Sequence, residues 1–133
     1  MKDPTPAPMF ACLYPGLCDV ARARGYALTL HGTLTSDMDV VAIPWTDQAG
    51  DPEELVAALM RHIGALTHEG MLKRDLGENM AKTAAGIAKA EDERLGRKVD
   101  DRGWTIKPHG RRAINLHLNC GVKIDLSILP RHL

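Results

Sequence analysis

Three aspartates in this chain are spaced so that they can share one site. Asp37 and Asp39 flank Met38 at the head of the apolar run Val40-Val41-Ala42-Ile43, and Asp125 interrupts the last apolar run, Val122 to Leu129. Residues i and i+2 of a strand point to the same face, so Asp37 and Asp39 would project together. Hard cations such as Mg²⁺ or Mn²⁺ take carboxylate oxygens. Two such ions held close together polarise a phosphate and activate an attacking hydroxyl. The candidate catalytic and metal-binding residues are therefore Asp37, Asp39 and Asp125. Each also has a plain structural reading, Asp37 as a turn cap and Asp125 as one residue of a solvated face.

A phosphate-bearing ligand needs donors as well. Gly32-Thr33 and Ser36 lie between the two strand-like runs and offer backbone amides and hydroxyls. Lys107-Pro108-His109-Gly110-Arg111-Arg112 brings several cations near His117 and Lys123. The phosphate- or nucleotide-binding candidates are Gly32, Thr33, Ser36, Lys107, His109, Arg111 and Lys123; an ordinary turn and a solvated basic loop are the alternatives. His31, His62, His68 and His132 have no ligand-like spacing and read as surface or internally satisfied residues. Cys12, Cys18 and Cys120 match no zinc motif and read as free thiols of a reducing compartment. No Ser-His-Asp order, P-loop or dinucleotide fingerprint is present.

Several elements must position these residues. Leu13, Leu17, Val20 and Ala21 recur at helical spacing and predict a helix near 11–24. Prolines 4, 6 and 8 predict a loose tail over 1–10 ahead of one domain, 11–133. Tyr26 to His31 and Asp37 to Pro44 predict strands. The second has apolar residues on both faces, as a strand covered on each side would. Asp51-Pro52-Glu53-Glu54 predicts a capped helix start, with Leu55, Leu59, Ile63 and Leu66 carrying the stripe to about residue 67. Residues 68–77 are ambiguous. Glu78 to Arg97 is rich in Ala, Lys and Glu and predicts a surface helix, an excursion near 78–98. Residues 99–110 read as loop.

Arg112 to Leu118 and Val122 to Leu129 predict a hairpin, and parity sets its turn. A three-residue loop pairs Leu118 with Val122, His117 with Lys123, Leu116 with Ile124 and Asn115 with Asp125. Every pair then matches apolar with apolar or polar with polar, and Gly121 falls where a left-handed residue is needed. One face of the hairpin is thus apolar, and the other carries Asn115, His117, Lys123, Asp125 and Ser127.

The chain has 133 residues, enough for one domain with a real core. Aromatics make up 4%, so aliphatic side chains must build that core. Lys plus Arg and Asp plus Glu are equal at 17 each, which argues against broad attraction to nucleic acids or membranes. No apolar run is long enough to span a bilayer and the N-terminus lacks a signal-peptide core, so a cytoplasmic protein is expected.

Strand, Gly-Thr, turn and Asp-x-Asp on the next strand, with a third acid on a later strand, resembles the nucleotidyltransferase fold of the DNA polymerase beta superfamily. Residues 19–67 and 104–131 are also similar to a group of small phage and prophage proteins. The shared pieces are His31-Gly32-Thr33, Asp37-Met38-Asp39, Ala42-Ile43-Pro44-Trp45, Lys107-Pro108-His109-Gly110-Arg111 and Ile124-Asp125-Leu126-Ser127. The resemblance implies an α/β (α+β) single domain, a small mixed sheet with helices packed on one face and the acids on the other. It implies Mg²⁺ or Mn²⁺ as cofactor and transfer of a nucleoside monophosphate from NTP to an unknown hydroxyl acceptor. Asp37 and Asp39 would bind the ions, Asp125 would complete the site and help deprotonate the acceptor, and Gly32 and Thr33 would hold the triphosphate. Only Leu34, Thr35 and Ser36 separate Thr33 from Asp37, a shorter spacer than that superfamily uses. The alternative is a catalytically degenerate phage protein on the same fold that binds a host or phage macromolecule, protein or nucleic acid. A nuclease-like phosphodiesterase using the same acids is a third reading.

Overall fold

The computed structural model describes residues 5–100 and 102–131. Helix α1 spans Ala7–Arg22 and buries Phe10, Leu17 and Ala21. It starts well before residue 11, because Pro6 occupies its N-cap and Pro8 its first turn, where no backbone donor is required. The proline-rich start is therefore helical from Ala7 onward, and residues 1–4 lie outside the described residues.

Strands β1 (Tyr26–His31) and β2 (Met38–Pro44) follow as an antiparallel pair. Helix α2, Pro52–Ile63, buries Leu55, Val56, Ala58 and Leu59. Asp51 precedes it with extended backbone but makes no side-chain cap; its carboxylate instead meets Arg131 at 3.0 Å. The helix stops at Ile63 rather than near 67, because the chain turns to lay Leu66 along the sheet. Leu66 and His117 exchange both backbone hydrogen bonds, at 2.9 and 2.7 Å. The ambiguous stretch after it is helix α3, His68–Leu76, capped by the Thr67 hydroxyl accepting from the Gly70 N–H. Helix α4, Glu78–Arg94, is the expected surface helix, with Ala81 as its buried residue.

The segment expected to be loop contains a short strand, β3 (Thr105–Ile106), and a single 3₁₀ turn at Pro108–Gly110. It is pinned by Trp104, 5% exposed, with the Arg112 guanidinium 4.1 Å from its ring centre. Strands β4 (Arg112–His117) and β5 (Lys123–Ile128) pair in the register that parity requires, Asn115 against Asp125 and His117 against Lys123. Gly121 adopts φ +85, the left-handed residue of the three-residue loop.

The sheet order is β1-β2-β5-β4-β3, mixed, with β2 and β5 parallel and every other neighbour antiparallel. β2 is central, but its two faces differ. Met38, Val40 and Ala42 are buried with Leu116, Ile124, Leu126 and Ile128, and helices α1 and α2 complete this core. Asp39, Val41 and Ile43 on the other face are only half-buried, so the strand is not covered equally on both sides. No described helix is long and apolar enough to cross a membrane.

Candidate functional site: a polar grid on the open face of the sheet

The register of four strands builds a grid of polar side chains on the face away from the core. One row runs His31 (β1), Asp39 (β2), Asp125 (β5), Asn115 (β4), each residue the direct register partner of the next. Asp39 and Asp125 therefore stand side by side on parallel strands, with backbones about 4.8 Å apart. The adjacent row comprises Asp37, Lys123 and His117. Lys123 pairs with His117 in register, and its ammonium lies 3.9 Å from the Asp37 carboxylate. Along β2 and β5 the rows are one pleat repeat apart, roughly 6.6 Å.

The two rows differ in how their charge is satisfied. Asp37 has Lys123. The carboxylates of Asp39 and Asp125 make no hydrogen bond and no ion pair among the described residues, although both are half-buried. Like charges placed directly opposite in a sheet repel, and no cation of the described residues offsets this pair. Gly32 contributes to the arrangement. It adopts φ +79, which favours glycine, and it lies beside the Asp39 carboxylate, since a Cβ built there would lie 2.5 Å from Oδ2. The turn after it is tight, with Leu34 at φ 58.

Other expected donors are distributed unevenly. The Thr33 hydroxyl accepts from the Thr35 N–H at 3.3 Å and from the Thr35 hydroxyl at 2.8 Å, and Ser36 is exposed. Lys107 and Arg111 line the same open groove as His31, His117, Lys123 and Asp125, a space of about 1170 Å³ bounded on its far side by α3 and α4. His109, exposed and at φ 65, is not among the groove residues, and neither are Gly32, Thr33, Ser36, Asp37 and Asp39, which lie beside the groove. Arg112, part of the same basic run, is not available to a ligand. It is held by Asp100 at 2.7 Å and Glu53 at 3.0 Å and stacks on Trp104.

Electrostatics follow this placement. Burial pushes the Glu53 carboxyl up, but its own backbone N–H and the Arg112 guanidinium hold it below the ordinary value. Asp100 behaves alike: burial raises it, while the N–H groups of Trp104 and Arg102 and the Arg112 guanidinium bring it lower overall. Burial lowers the His117 imidazole, nearby His68 and Lys123 lower it further, and Asp37 opposes them. These influences together favour the neutral form of His117, which can accept at one ring nitrogen and donate at the other.

Two carboxylates at facing register positions are the kind of donor set that a hard divalent ion takes. Mg²⁺ is commonly held by one or two carboxylates, completing its shell with water and substrate phosphates. Among the described residues no three His, Cys, Asp or Glu side chains converge on one point at ligand distance, so Asp37 does not join the pair as the structure stands. His31 is exposed, as a surface histidine should be, but its register position beside Asp39 was not expected. The pairing His31 with Asp39 across a short turn was the signal, and it required the β1–β2 register, which no parity rule over so short and irregular a turn supplies. Comparison with protein families, with curated proteins and with solved structures finds no match to this chain.

Proposed function

We propose that the open face of the sheet is a divalent-cation-dependent nucleotidyl-transfer site of the nucleotidyltransferase type, acting on an NTP and a hydroxyl acceptor. The observation that carries this reading is the side-by-side placement of Asp39 and Asp125 on parallel strands, with neither carboxylate in an ion pair among the described residues. Asp39 and Asp125 would hold Mg²⁺ or Mn²⁺, with Asp37 able to join once Lys123 turns to a phosphate. A cation bound there would neutralise phosphate charge and polarise the reacting phosphoryl group. Lys123, Lys107 and Arg111 would bind the phosphates from the floor and the far edge of the groove. The acceptor oxygen bonds to the α-phosphorus, the bond to the β-phosphate breaks, pyrophosphate leaves, and the hydroxyl proton passes to the Asp125 carboxylate. The free thiols Cys12, Cys18 and Cys120 support a reducing, cytoplasmic setting.

Titration calorimetry with Mn²⁺ and Mg²⁺ tests the site. Micromolar to millimolar binding is expected, reduced at least about tenfold in both Asp39→Asn and Asp125→Asn, a loss of ~1.4 kcal/mol or more. Binding unchanged in both variants would remove the reading. Transfer is then sought with α-labelled NTP.

One observation favours a second reading, a catalytically degenerate phage protein that binds a macromolecule. The loop meant for the triphosphate satisfies itself: Thr35 occupies the Thr33 hydroxyl, and Lys123 occupies Asp37. Under that reading partner capture survives the triple substitution of Asp37, Asp39 and Asp125 by Asn, and no label is transferred.

A further inference from the structure

Helix α4 is poorly buried for its length. Ala81 is its one buried residue, and α3 is the element packed along it. The side that meets the groove carries Ala85, Ala88, Lys89 and Asp92. A different side carries Met80, Thr83, Ile87 and Ala90, all exposed, at spacings of three, four and three residues. That is the seam of a helix that packs on another helix. Met80 is 62% exposed and Ile87 68%, and Leu76 and Leu95, at 40% and 50%, extend apolar surface beyond both ends. Four of the seven large apolar side chains exposed among the described residues fall in this stretch, so the patch is concentrated rather than scattered.

We propose that α4 is a self-docking helix, and that two copies of this chain associate through it in antiparallel fashion about a two-fold axis at Ile87. Charge selects the occupant and the direction. Lys82 and Glu93 are both exposed and have no ion pair among the described residues, whereas Glu91 is held by Arg94 and Asp92 by Arg97. Lys82 and Glu93 are eleven residues apart, about three helical turns, so they lie on the same flank of the seam. An antiparallel crossing at Ile87 brings Lys82 of each copy level with Glu93 of the other, giving two reciprocal ion pairs. In a parallel crossing Lys82 and Glu93 stay about 16 Å apart along the helix axes, so no such pairs form. Gly86 and Thr83 are small enough to let the backbones approach closely, and the interface is isologous and closes on itself. Because the seam faces away from the groove-lining side of α4, a dimer leaves the polar grid open. This inference does not depend on the proposed chemistry.

Sedimentation equilibrium on the full chain tests it. A dimer is expected, with Ile87→Glu weakening it at least about a hundredfold, since an apolar side chain is lost from both copies. Because the residue is exposed, circular dichroism should be unchanged. Lys82→Glu and Glu93→Lys should each weaken the dimer about tenfold, and the double charge swap should restore it. A wild-type chain that stays monomeric up to millimolar concentration overturns the proposal. So does a dimer broken by Leu30→Glu at the β1 edge, or by Trp45→Glu, but not by Ile87→Glu. A charge swap that fails to rescue the dimer overturns the antiparallel arrangement.

Discussion

Two pairs of half-buried acids are treated in opposite ways by this fold. Glu53 and Asp100 come from distant parts of the chain and are drawn together by a cation: Arg112 reaches both, stacks on Trp104, and ties the 99–106 segment to α2 and β4. Asp39 and Asp125 are brought together by backbone register alone, and no cation of the described residues answers them. The first pair is a structural joint, stable because its charges are compensated and its geometry satisfied. The second sets two like charges directly opposite each other, an unfavourable arrangement in a sheet. Proteins concentrate such costs where a ligand removes them. The contrast separates acids compensated within the fold from acids that no cation of the described residues compensates.

The largest expected effect comes from dissolving the joint. Arg112→Met leaves Glu53 and Asp100 half-buried without their cation, and should destabilise the fold by about 2–3 kcal/mol in urea unfolding. Divalent binding should change little, and equal loss of both would erase the distinction between the pairs. The same variant should alter the acid limb of stability. Folded Glu53 and Asp100 titrate below their ordinary values of 4.5 and 3.8. Their contribution is therefore complete above those values and is lost as pH falls through the lowered folded ones. Arg112→Met should make unfolding less steep in that acidic window.

Next in size is Gly32→Ala. A Cβ at φ +79 and 2.5 Å from Asp39 Oδ2 should cost about 1–2 kcal/mol of stability and weaken Mn²⁺ binding as well. A variant with undiminished Mn²⁺ affinity would detach Gly32 from the site. Asp39→Asn should act in the reverse sense on stability. Removing one of two opposed like charges should stabilise the metal-free protein, by up to about 1 kcal/mol, while abolishing Mn²⁺ binding. Thermal unfolding in chelator checks this, and a clear loss of stability would reclassify Asp39 as structural.

The smallest effect concerns His117. Its folded pKa lies below the ordinary 6.5, so below pH 6.5 the unfolded chain binds more protons than the folded one. Stability should then decline as pH falls from 6.5 toward the folded value. His117→Gln should flatten that decline; NMR titration of the imidazole reads the pKa directly.

Much of the fold was legible where the signals are local. Alternation along 112–129, with Gly121 at the turn, determined the hairpin register and therefore the shared face of Asn115, His117, Lys123 and Asp125. The apolar stripe of α2 identified its buried side, and composition marked α4 as a surface helix. The misjudged places are those where a distant partner overrides local preference. Prolines that suggest a tail become a helix start, residues 64–67 leave α2 for the edge of β4, and a polar loop is pinned by Trp104 against Arg112. The basic run at 107–112 looked uniform, yet Arg112 belongs to the joint, Lys107 and Arg111 to the groove, and His109 to neither.

The chain alone determined that Asp37 and Asp39 would share a face, because a strand's side chains alternate with period two, and that Asp125 would lie opposite Asn115, because a three-residue loop with Gly121 keeps polar with polar where a two-residue loop would not. Tertiary structure decided that Asp39 and Asp125 are neighbours. That adjacency rests on the parallel pairing of β2 with β5, strands separated by three helices and two further strands. A parallel pair joined through so long a crossover has no turn to fix its register. The burial of Met38, Val40 and Ala42 against Ile124, Leu126 and Ile128 sets it instead.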